Sequence, residues 1–73
     1  GDKVDAVSEI KKLEDELSYL EGFLASVMKK LNNEKFVAHA QPQVVENERK
    51  KKADAETKIA SLKESIEALR KNS

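Results

Sequence analysis

Cysteine is absent from the 73 residues, and so is tryptophan. Without a thiol there is no disulfide scaffold and no thiolate-based zinc or iron–sulfur site. One histidine, His39, makes a polyhistidine metal site within one chain untenable. Three aromatic residues in a chain of 8.2 kDa cannot wall off a substrate pocket of a few hundred Å³. An independent enzyme is therefore not expected. No apolar run exceeds three residues, so no segment is expected to span a bilayer. The opening Gly1-Asp2-Lys3-Val4-Asp5 has neither a basic n-region nor an apolar h-region, and reads as no signal peptide. What is plentiful is alanine, leucine, lysine and glutamate. With 38% charged and 38% hydrophobic residues, this is the composition of long helices or a coiled coil, in one small domain.

The formal net charge is zero, with 14 basic and 14 acidic residues, but the charges are segregated. Residues 1–28 carry three lysines against seven carboxylates, a net of −4. Residues 29–52 carry seven cations against three carboxylates, a net of +4, and residues 53–73 balance. If the middle of the chain is the tip of a hairpin, one end of the molecule is a positive pole able to attract a polyanion.

Apolar residues recur at Ala6, Ile10, Leu13, Leu17, Leu20, Leu24, Val27 and Leu31, alternating by four and three. This is an a/d heptad seam, and no strand pattern competes with it. It predicts a helix from about residue 5 to residue 31, roughly 40 Å long at 1.5 Å per residue. Asp5 is placed to cap that helix or to favour its dipole from the first turn. Gly22 falls on the outer face. Asn32-Asn33 breaks the pattern, since asparagine tolerates left-handed backbone and caps helices at either end. Asn33 either ends the first helix or opens a short turn through Ala38. Pro42 suits the first turn of a second helix, where its missing N–H is no loss. That helix is expected over 43–70, with a seam of Val45, Glu48, Lys52, Ala55, Ile59, Leu62, Ile66 and Leu69. Its two polar members lie nearest the loop.

The expected fold is thus all-α: a single antiparallel two-helix coiled-coil hairpin spanning 1–73, with a tip loop or helical turn over 32–42. Folding about residue 38 would set Leu31 by Val45, Leu20 by Ala55, Leu13 by Leu62 and Ile10 by Ile66. A seam this narrow is a marginal core, so a second copy or a host domain is expected to cover its flanks. Tyr19, Phe23 and Met28, beside the seam, are candidates for that contact.

Several blocks of residues then carry a resemblance. They are Leu31-Asn32-Asn33-Glu34-Lys35-Phe36-Val37-Ala38, Val44-Val45-Glu46, Glu48-Arg49-Lys50-Lys51 and Ala53-Asp54-Ala55-Glu56. Together they resemble the C-terminal arm of bacterial valyl-tRNA synthetases, whose pattern is L-S-N-E-K/R-F-V, an alanine–proline turn, V-V, and E-R/K-x-K opening the return helix. Val4-Asp5 and Glu9-Ile10 also fit, so the likeness covers about 4–69. The chain departs from the pattern in having Asn32 where serine is usual, Pro42 one residue late, and Lys52 at a seam position where relatives place leucine. The resemblance implies a fragment of a larger cytoplasmic enzyme that activates valine with ATP and magnesium and charges its tRNA. The H-I-G-H and K-M-S-K-S signatures of that chemistry are absent here. The arm of the family is an antiparallel coiled coil reaching the outer corner of the tRNA, where the D and T loops meet. Its implied partners are that tRNA and the rest of the synthetase. It holds no cofactor and touches no membrane.

Residue chemistry agrees with such a role. RNA backbones bind lysine and arginine with release of counterions, and exposed bases stack on flat or apolar side chains. The expected tip offers Lys29, Lys30, Lys35, Arg49, Lys50, Lys51 and Lys52 for charge and Phe36 for an apolar surface. Each also has a plainer explanation. The run 49–52 resembles any solvated lysine-rich helix face, and 49–51 span most of a turn. Phe36 is more often a plug for the open end of a hairpin than a stacking platform. Lys52 can snorkel to water or pair with Glu48 one turn earlier. His39 reads as a loop residue, Glu14-Asp15-Glu16 as a solvated face, and Tyr19 with Phe23 as a packing pair. The competing function is a structural hairpin for oligomerisation or spacing, self-associating and binding no nucleic acid, which heptads alone would support.

Overall fold

The computed structural model describes residues 2–72, with side chains described from residue 6 onward. It contains three helices: α1 (Asp2–Leu31), α2 (Glu34–His39) and α3 (Pro42–Asn72). No strand occurs among the described residues. The two long helices pack on one another and form a rod of 56 × 14 × 14 Å. Among the described residues no helix is long and apolar enough to cross a membrane.

Periodicity explains the packing. Along α1, the described residues shielded from solvent are Ala6, Ile10, Leu13, Leu17, Leu20, Leu24, Val27 and Leu31. Along α3 they are Val45, Glu48, Lys52, Ala55, Ile59, Leu62, Ile66 and Leu69. Every other described position on both helices is exposed. A 3–4 repeat keeps one stripe of each long helix against its neighbour and leaves the other described positions of α1 and α3 to solvent. The best-buried members are Val27, Val45, Glu48, Ala55, Ile59 and Ile66.

The helix ends are local chemistry. α1 starts at Asp2, so Asp5 lies inside it on helical backbone and cannot be its N-cap. At the other end, Asn32 N–H donates to Met28 O at 2.9 Å and Asn33 N–H to Lys30 O at 3.1 Å. Asn33 then caps α2, with extended backbone (φ −84°, ψ 107°) rather than the left-handed form. Its Oδ1 accepts from Lys35 N–H at 3.0 Å and Phe36 N–H at 3.3 Å. Ala40 closes α2 in extended backbone, and its N–H donates to Phe36 O at 2.8 Å. Pro42 opens α3, where Gln41 O accepts from Val44 and Val45. The 32–42 segment is therefore mostly a short capped helix. His39 ends it, with Nδ1 2.9 Å from Lys35 O, rather than lying in a loop.

Among the described residues, two ion pairs join α1 to α3. Lys30 Nζ lies 3.6 Å from Glu48 Oε1 near α2, and Arg70 pairs with Glu14 towards the other end. Late residues of α1 thus meet early residues of α3, and early meet late. Folding about residue 38 would set Glu14 opposite residue 62 and Ile10 opposite Ile66. Leu20 shares a groove with Ala55, as that folding expects, and Lys30 reaches Glu48, while Glu14 reaches Arg70 through two long side chains.

Candidate nucleic-acid interface

The end of the rod carrying α2 holds all eight residues singled out above, but they do not form one patch. Arg49, Lys50, Lys51 and Lys52 are consecutive helical residues, so they fan round α3 by 100° each. Lys52 sits half-buried in the seam. Lys51, next to it, turns to Glu48, with Nζ 2.9 Å from Oε2. Lys50 falls at the f position of the heptad and points away from α1, and Lys29 does the same on α1, on the opposite side of the rod. Arg49 lines a shallow concavity with Val37, Ala38, Ala40, Pro42 and Glu46. Lys35 is exposed on α2, and Phe36 beside it is half-buried, partly packed and partly presented to solvent. Among the described residues no side-chain bond or ion pair holds Lys29, Lys35, Arg49, Lys50 or Lys52.

Glu48 is the centre that the sequence did not reveal. It is 5% exposed, and it is buried in a seam otherwise lined by aliphatic side chains and the stem of Lys52. It takes Lys51 from its own helix and Lys30 from α1, not Lys52. One carboxylate thereby gathers two cations from separate helices. The hydrogen bond from Lys51 holds its pKa below the ordinary 4.5. Burial opposes that, and the charges of Lys30 and Lys51 reinforce it. Its Oε1 is fully covered and accepts no hydrogen bond, since 3.6 Å to Lys30 is too long for one. Heptad lettering offered the missing signal: Lys30 and Lys51 both occupy g positions, flanking the seam next to a d-position carboxylate.

Away from this end, Tyr19 (72% exposed) and Phe23 share a groove with Leu20, Ala55, Lys51 and Lys58. Tyr19 is thus mostly on the surface. No group of three or more described His, Asp or Glu residues could hold a metal ion.

Comparison with known proteins bears on this end of the rod. The family model described as the valyl-tRNA synthetase tRNA-binding arm matches residues 5–70, covering most of both long helices and everything between them. The chain is 61% identical over 71 residues to a valine–tRNA ligase of Phocaeicola vulgatus, covering 97% of this chain and 8% of that protein. It is 59% identical over 69 residues to that of Porphyromonas gingivalis (94% and 8%). Against the ligase of Agrobacterium fabrum it is 39% identical over 66 residues (90% and 7%). The chain spans about 8% of the length of the first of these curated relatives. No solved structure matches it.

Proposed function

The chain belongs to the family of valyl-tRNA synthetase tRNA-binding arms, and from this we propose that it is an antiparallel coiled-coil hairpin that docks the outer corner of a tRNA. In this reading Lys29, Lys35, Arg49 and Lys50 face phosphates where the D and T loops meet, Lys30, Lys51 and Lys52 add to the positive field of that end, and Phe36 offers an apolar edge to exposed bases. The arm positions valine tRNA for ATP-dependent charging by a cytoplasmic parent ligase. It performs no chemistry itself. ATP and magnesium belong to the parent's catalytic body.

One observation carries the reading: the family match runs through the charged end, residues 29–52, and not through the heptads alone. Exposed, unpaired Lys35, Arg49 and Lys50 at that end support it. The test is joint charge reversal, Lys35→Glu, Arg49→Glu and Lys50→Glu, in the full-length protein. Binding of valine tRNA is expected to weaken, with the dependence of log K on log salt flattening by about one unit for each phosphate no longer neutralised. Unaltered binding rejects the reading. Sedimentation of the isolated chain separates the spacer alternative, which requires tight self-association and no shift with tRNA.

A further inference from the structure

We propose that Glu48 withholds Lys30 and Lys51 from RNA, dividing the cations at this end into a restrained pair and a free set, and so limits indiscriminate grip on phosphates. This rests on the RNA-binding reading above and refines it.

The geometry supplies the restraint on both lysines. Glu48 is the one buried polar residue among those described, and its Oε1 is closed to solvent. An ion left in such a place without its counter-charge is far costlier than one at the surface. To reach a phosphate, Lys51 must give up its 2.9 Å bond to Glu48, and Lys30 its 3.6 Å pair. Whatever the phosphate supplies is offset by the stranded carboxylate. No such restraint acts on Lys29, Lys35, Arg49 or Lys50, which carry no ion pair among the described residues. Seven cations at one end would bind any RNA, because phosphate contacts carry no sequence information. Holding two back lowers that uniform term. Interactions that depend on the shape of the partner, such as those at Phe36, then weigh more in the total.

Plain electrostatics and a purely structural Glu48 give different outcomes, so a double-mutant cycle decides. Valine tRNA and an unrelated tRNA are titrated against the full-length protein carrying Glu48→Leu, Glu48→Gln, Lys51→Ala, or Glu48→Leu with Lys51→Ala. Both Glu48 variants should bind both tRNAs more tightly at low salt, with the salt slope steeper by about one to two units. Each additional phosphate neutralised multiplies the loss of affinity between 50 and 200 mM salt by about three. Lys51→Ala should flatten the slope by about one unit in the Glu48→Leu background, and by less than half of that when Glu48 is present. Binding that is unchanged or weaker on removing Glu48, or an equal cost of Lys51→Ala in both backgrounds, overturns the proposal. Circular dichroism reports whether each variant folds. Should both Glu48 variants unfold, Lys30→Ala and Lys51→Ala decide alone, and a full unit of slope lost at each overturns the proposal. Failure of the RNA reading itself appears separately, as the Lys35, Arg49 and Lys50 reversal leaving tRNA binding intact.

Discussion

Protonating Glu48 removes the partner of Lys51 and Lys30 together. Its folded-state pKa lies below the ordinary 4.5, so its ionised form stabilises the fold above that value. That contribution drains away as pH falls through the depressed value, which places the window below 4.5. Thermal melts across this range should show a loss of stability that Glu48→Gln lacks; equal slopes for both chains would contradict the assignment. Two other single positions give opposite signs. An added Cβ on Gly22 meets nothing within 4 Å. Gly22→Ala should therefore stabilise by about 1 kcal/mol, or about 4–8 °C in melting temperature. Asn33→Ala removes the side-chain acceptor for Lys35 and Phe36 N–H and should cost about 1 kcal/mol, with faster amide exchange confined to α2.

At the level of the helices, the seam does nearly all the packing. Ile59 is buried in it, so Ile59→Ala should cost about 2–5 kcal/mol in urea unfolding. Val7→Ser and Tyr19→Ser, at 71% and 72% exposure, should move stability by less than about 0.5 kcal/mol. A large effect at Tyr19 in the full-length protein alone would reveal a surface covered by another part of it. The seam was legible in the sequence because helical period is a property of spacing, and all sixteen of its positions are the shielded ones. The break at Asn33 and the start at Pro42 were legible from backbone chemistry. Two things were not. That residues 34–39 form a short helix ending at His39 depends on Asn33 Oδ1 reaching the N–H groups of Lys35 and Phe36, which no periodicity encodes. The pairing of Glu48 with Lys30 joins residues 18 apart in the chain, so only their juxtaposition shows it. Within the helix the sequence offered Lys52, four residues on, as a partner for Glu48; Lys51, three residues on, takes that role, and Lys52 sits half-buried in the seam.

Over the whole molecule, charge is arranged lengthwise. Carboxylates dominate residues 1–28 and cations dominate 29–52, along a body 56 Å long. Salt screens exposed charges beyond about 10 Å at 0.1 M, so the two ends act independently on a bound polyanion. Glu9→Lys with Glu16→Lys should change tRNA affinity less than about twofold at that salt concentration. A larger change would mean that the bound tRNA extends down the shaft. The same proportions have a mechanical consequence. A body four times longer than it is wide behaves as a lever: a tilt of about 5° at one end swings the other by about 5 Å. That displacement approaches the rise of one helical turn. How accurately the charged end meets its target is therefore governed by the stiffness of whatever grips the far end, and only slightly by the helices between.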